Sequence, residues 1–207
     1  MNENPKGWRG SADLWLDAAY ELLVTSGVEA VKILPLAKAV RMSRPSFYWH
    51  FEDREALLDA LIARWDAKNT GNLVTQTRQH ATSIAEALFN LFDCWLDENL
   101  FDAKLDFAIR NWAQSAPNLK AKLEIADQTR IKAITDMFVR HGFNPIQSDI
   151  RASTIYYTQV GYIAMMVEEP KSIRVERMPA YIETFTGCSP TESEIARFKA
   201  RHLGLPN

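Results

Sequence analysis

From Ser11 to Leu203 the apolar residues of this chain recur at intervals of three and four, and nowhere do they alternate with polar ones over the length of a strand. Leu14, Trp15, Ala18, Ala19, Leu22 and Leu23 form the first such set, and Gly27 closes it. That spacing is the period of an α-helix with one buried face. It restricts the chain to an all-α fold, and with 47% of its 207 residues apolar there is enough material for a real core. No internal repeat or low-complexity tract interrupts the pattern.

The remaining elements follow from the same signals. Ser11–Ser26 is the first helix, Leu34–Val40 a short second one with Pro35 in its first turn, and Ser43–Phe51 a third, capped by Ser43. Asp53 is the N-cap of "REALLDALIARW", a helix over 53–67 that links two halves of the chain before the polar run "DAKNTGN" breaks it. Further helices are predicted from Ser83, with Glu86 completing a capping box, to about Leu100, and from Asn118 to His141, closed by Gly142. Ser148–Glu169 is apolar on two sides, which predicts burial on both. Thr191 and Glu194 are a capping box for a last amphipathic helix.

Charge and cysteine content narrow the function. A formal net charge of -2 and a pI of about 6.1 exclude a globally basic, nucleic-acid-coating surface but leave room for a local patch. Cys94 and Cys188 are too few for a disulfide framework, and no signal peptide or bilayer-spanning stretch is present, so a cytoplasmic protein is expected. His50, His80, His141 and His202 are scattered, and there is no phosphate-cradling glycine loop. Asp93 and Asp97, then Asp102 and Asp106, recur at i, i+4. They are the best support for an alternative reading as a metal-dependent all-α enzyme, although a solvated acidic face explains them more simply. No catalytic residue, metal or cofactor is assigned.

The stretch "SRPSFYWHFEDREALL" places Phe47, Tyr48, Trp49, His50 and Phe51 in one run. At 100° per residue Phe47 and Phe51 share one side, Pro45, Ser46, Trp49 and His50 fall opposite, and Arg44 and Tyr48 lie near the boundary. The first side can pack on Leu36 and Ala37; an exposed Trp beside a His then needs a partner. Between Ala30 and Phe51 the only charged residues are Lys32, Lys38, Arg41 and Arg44. Two short helices joined by a tight turn, the second basic and aromatic, make a helix-turn-helix for the DNA major groove. The readings kept open against this are plain core packing and a helical interaction protein without DNA binding.

Over Trp15–Leu58, about a quarter of the chain, the sequence resembles the TetR family of bacterial transcription regulators. The first helix ending at Gly27, Val31, "LAKAV" and "MSRPSFYWHFEDREALL" carry the resemblance. It implies that Arg44, Pro45, Ser46 and Trp49 face bases, that Tyr48 and His50 contact phosphates, and that Arg54 takes the usual Lys role on the DNA backbone. Two residues depart from the family pattern. Lys32 stands where a Ser or Thr helix cap is common, so it offers charge without a cap. Arg41 replaces the customary turn Gly, which puts strain on the turn if φ is positive.

The same resemblance implies an N-terminal helix-turn-helix domain, residues 1–54 with an N-terminal arm, and a helical ligand-binding and dimerisation domain, residues 55–207. Specific DNA reading needs two recognition helices roughly 34 Å apart on a pseudo-palindromic double-stranded operator, hence a homodimer. Tyr157, Gly161, Ala164 and Met165, with Ile195 and Phe198 of the last helix, are the candidate dimer surface. Trp95, Trp112, Tyr157, Phe92 and Phe138 are candidates for a pocket holding a small hydrophobic or aromatic effector. Family analogy makes the protein a repressor released by that effector.

Overall fold

The computed structural model describes residues 10–204; the N-terminal arm lies outside them. The helices in chain order are α1 Ala12–Ser26, α2 Ile33–Ala39, α3 Arg44–Phe47, α4 Arg54–Trp65, α5 Gly71–Thr77, α6 Ile84–Leu96, α7 Ala103–Ala113, α8 Pro117–Arg140, α9 Pro145–Ala164, α10 Lys171–Thr186 and α11 Glu192–Leu203. No strand occurs among the described residues.

Capping side chains set the helix starts. Ser11 accepts from the Leu14 N–H, Asp53 from Ala56, Ser83 from Glu86 and Asn144 from Gln147. Thr191 and Glu194 form a reciprocal capping box on α11. At α6 only half of the expected box exists, because the Glu86 carboxylate accepts from the N–H and hydroxyl of Thr82, one residue ahead of the cap. Lys32 sits at the N-cap of α2 with no side-chain bond to the backbone, as its chemistry requires.

Two compact units result: the chain through Asp66 together with Lys104–Lys120, and Ala67–Ala103 together with Ala121 onward. In the first, Trp15 and Phe47 meet edge to face at 5.3 Å, both fully buried, and Leu23, Leu36, Leu57 and Leu61 complete the core. The Trp65 indole donates to the buried Asp106 carboxylate at 2.9 Å, and Arg110 holds the other oxygen at 2.8 Å. A buried carboxylate stays charged only with such partners.

In the second unit Leu88, Phe89, Phe138, Ile155, Tyr156 and Ile182 are core. Phe198 of α11 stacks on Phe89 of α6 at 4.4 Å. Arg197 pairs with Glu86, and His202 and Arg201 pair with Asp93, so α11 is tied along α6.

Several predicted boundaries are corrected. "DAKNTGN" does not break the chain's helical course: Asp66–Thr70 forms a π-helical turn and α5 follows. The polar residues serve a purpose there, since Asn69 donates to the Asp102 carbonyl at 3.0 Å and accepts from the Asp102 N–H at 2.9 Å. The helix predicted over Ser148–Glu169 runs instead from Pro145 to Ala164. It stops because Met166 turns left-handed, at φ 51°, while the Val167 N–H reaches back to the Tyr162 carbonyl. α10 escaped prediction; Pro170 and Pro179 obscure its core row of Val175, Met178, Ile182 and Thr186.

Candidate nucleic-acid interface

α2 ends in the same left-handed motif, with Arg41 at φ 55°. The Met42 N–H bonds the Ala37 carbonyl at 2.9 Å and the Arg41 N–H bonds the Lys38 carbonyl at 3.2 Å. The turn therefore keeps the shape a glycine would give it, and Arg41 bears the steric cost of its Cβ, on the order of 1 kcal/mol.

α3 is shorter than predicted. Only Arg44–Phe47 is regular helix, and residues 48–50 continue as a hydrogen-bonded turn, with the His50 and Phe51 N–H groups both on the Phe47 carbonyl. Ser43 occupies the N-cap position without capping: its hydroxyl bonds the Ser46 hydroxyl at 3.0 Å. Pro45 has no N–H to offer, and Ser46 N–H goes to the Ser43 carbonyl instead.

The aromatic run splits between core and surface. Phe47 is fully buried and Phe51 nearly so, whereas Trp49 is 63% exposed and Tyr48 51%. Arg44 and Pro45 are exposed and Ser46 and His50 half-buried. Tyr48, at the boundary in an ideal wheel, thus points outward with its ring edge-on to Phe47 at 5.4 Å. Lys32, Lys38, Arg41 and Arg44 are all exposed. The result is an exposed cationic and aromatic edge, and its chemistry matches phosphates and base edges.

Arg54 does something other than reach outward. Its Nε donates to the Val31 carbonyl at 2.6 Å and its Nη2 to the Val28 carbonyl at 2.8 Å, with Glu55 beside it. The guanidinium fastens the 3-10 turn Val28–Ala30, just ahead of α2, to the first turn of α4. It positions the edge; the expected backbone-phosphate contact is not favoured by this geometry. Only a guanidinium forks to two carbonyls in this way, which is the signal in the sequence that an Arg rather than a Lys carried.

The second-unit candidates scatter. Phe138 is fully buried and edge-on to Phe143. Trp95 is buried, its indole N–H without a hydrogen-bond partner among the described residues. Trp112 is half-buried and lies in the first compact unit. Tyr157 is 63% exposed and lines an open surface groove between α8 and α9, with Ile131, Thr135 and Ser153. Phe92 alone of the five lines the cavity between α9 and α10, where Tyr162, Arg174, Tyr181 and Phe185 are neighbours that the unrecognised α10 concealed.

On α9, Ile146, Ile150, Tyr157 and Ala164 are exposed, as is Met165 at its C-cap, and Gly161 is half-exposed, all within about 100° of arc. Phe198 is fully buried within its own protomer and is corrected as a dimer contact; Ile195 is half-buried. Asp93 is occupied by His202, 2.6 Å away, and by Arg201, and Asp97 accepts from the N–H of Asn99. No cluster of metal-ligating side chains occurs among the described residues.

Residues 16–61 match the family of bacterial regulatory proteins described as the tetR family. The tetracycline repressor protein class D of Escherichia coli is 41% identical over 46 residues, 22% of this chain and 21% of that protein. The class A repressor from transposon 1721, also of Escherichia coli, is 40% identical over 52 residues, 25% of this chain and 24% of that protein. The match thus spans about a fifth to a quarter of the length of these curated relatives. The fold resembles that of a transcriptional regulator from Aquifex aeolicus, at a TM-score of 0.65, 15% identity and coverage of 84% of this chain and 99% of that one. It also resembles AmtR of Mycobacterium smegmatis, at a TM-score of 0.61, 18% identity and coverage of 100% and 99%.

Proposed function

We propose that this chain, whose residues 16–61 match the tetR family of bacterial regulatory proteins, is a homodimeric, ligand-responsive transcriptional repressor that acts in the cytoplasm. The observation that carries the DNA-binding reading is the split of the aromatic run. Phe47 anchors α3 in the core and leaves Trp49, Tyr48, Arg44 and Pro45 exposed beside Lys32. In this reading Arg44, Pro45, Ser46 and Trp49 meet base edges and Tyr48, His50 and Lys32 meet phosphates. Arg54 acts behind them as a positioning residue.

Two copies join through the exposed stripe of α9, with Tyr157, Gly161, Ala164 and Met165 at its centre, and each presents one α3 to a half-site of a pseudo-palindromic operator. Residues 1–54 are the reading domain and 55–207 the sensing and dimerisation domain. A small effector binds one conformation of the second domain better than the other and so shifts α4 and the spacing of the two reading edges.

The test is fluorescence anisotropy with duplex DNA from upstream of the protein's own gene and with a scrambled duplex, at several salt concentrations. Sequence-dependent binding that weakens steeply with salt and is lost in Trp49→Ala is expected. Equal, weak binding to both duplexes, unchanged by Trp49→Ala, rejects the reading.

A further inference from the structure

The edge built by α3 and the turn that follows it carries a narrow set of hydrogen-bonding groups. Between Ala30 and Phe51 there is no Asn, Gln, Asp or Glu. Those are the side chains that pair with adenine through two hydrogen bonds or accept from cytosine in the major groove. Besides Arg44, the polar side chains from Arg44 to His50 are Ser46, Tyr48, Trp49 and His50. Each brings a hydroxyl, an indole N–H or an imidazole, and none presents two parallel donors. The Ser46 hydroxyl is moreover bonded to that of Ser43 at 3.0 Å.

Arg44 differs from all of them. It is the first residue of α3, it is exposed, and it is the single Lys or Arg of residues 44–50. Lys32, Lys38 and Arg41 stand at α2 or in the turn before α3, where they supply charge for phosphates. No hydrogen bond, ion pair or ring contact ties down the Arg44 guanidinium among the described residues. Residues at the start of a recognition helix are the ones that meet base edges. A guanidinium there matches the O6 and N7 acceptors of guanine with two parallel N–H bonds. Pro45, next in sequence, offers hydrocarbon alone and tells bases apart only by contact with a thymine methyl.

From the donor set of this edge we infer that Arg44 is its specificity-determining residue, and that the operator carries a G·C pair at the matching position of each half-site, read through guanine O6 and N7. The inference rests on the proposed entry of α3 into the major groove and adds which base that entry requires. An Arg44 placed on a phosphate would raise affinity alike for every sequence.

Selection of bound DNA from a randomised duplex pool, followed by sequencing, tests it on the full chain, with Arg44→Gln and Arg44→Ala beside the wild type. The wild type is expected to enrich a two-fold-symmetric site with guanine at one position in each half. Arg44→Gln should exchange that guanine for adenine, and Arg44→Ala should lose the preference there. Every other position stays unchanged, which also shows both variants to be folded. In anisotropy, the deaza analogue of that guanine, which lacks N7, weakens wild-type binding about tenfold and Arg44→Ala not at all. Base preferences that are the same in both variants overturn the inference while leaving α3 as a reader of DNA. So does wild-type affinity that is unchanged when each guanine of the site is replaced in turn by the deaza analogue. A pool from which the wild type enriches no sequence overturns the proposed function, and this inference with it.

Discussion

The Arg54 guanidinium grips the Val31 carbonyl at 2.6 Å, across 23 residues of sequence, and so joins the entry of α4 to the entry of α2. Both bonds to carbonyls are charge-assisted and half-buried, and each such bond is worth about 1.5 kcal/mol or more. Arg54→Ala is expected to cost roughly 3 kcal/mol in urea denaturation. Arg54→Lys should recover only part of that, because an ammonium cannot span both carbonyls. If Arg54→Ala left stability untouched while reducing DNA affinity, the phosphate role would be restored.

Arg41 holds φ 55° in the turn between α2 and α3. Replacing it by Gly removes the Cβ strain, and a gain of about 1 kcal/mol, or about 2–4 °C in Tm, is expected by calorimetry. The shape of the turn already suits glycine, so sequence preference on DNA should be preserved in Arg41→Gly, while overall affinity falls modestly at low salt through loss of one cation.

The two cysteines should behave oppositely. Cys94 is fully buried, and burial, with Asp93 adding to it, pushes its thiol pKa up to about 12; Cys188 is exposed. Labelling the native protein with a thiol reagent near neutral pH should modify Cys188 rapidly and Cys94 only on unfolding. Rapid labelling of both sites, read by mass spectrometry, would contradict the packing of α6.

Glu86 ties the start of α6 to Thr82 and to Arg197 of α11, and the Thr82 N–H and hydroxyl hold its carboxyl below the usual carboxylate range. A depressed folded-state pKa stabilises above the unfolded value and is lost as pH falls through the folded one. The contribution is therefore complete at neutral pH, begins to fall near the unfolded value of about pH 4.3, and is lost as pH drops further through the lowered folded-state value. Glu86→Gln should be less stable than wild type at pH 7, with the difference narrowing towards pH 3 in denaturant titrations.

Tyr157 of α9 and Met165 at its C-cap lie on one exposed stripe, 63% and 76% exposed. Placing charge there, as in Tyr157→Glu with Met165→Glu, should leave the helical signal intact and turn a dimer into a monomer by sedimentation. A wild-type chain that sediments as a monomer, or a double variant that still dimerises, counts against that surface.

Periodicity alone determined that the chain is helical, and the spacing of Phe47 and Phe51 determined that the aromatic run must divide between core and surface. Both properties belong to one helix and its own wheel, and so were legible locally. Capping residues such as Asp53 and Thr191 were legible for the same reason, since a cap bonds a backbone group three residues away. What tertiary structure decided depended on partners distant in sequence. Arg54 became a latch because the carbonyls of Val28 and Val31 face it; Phe198 became core because Phe89 offers a ring to stack on; Asn69 continued a helix because Asp102 supplied the pairing that its own turn lacked. A polar or aromatic side chain has one identity in sequence and several possible neighbours, and only packing selects among them.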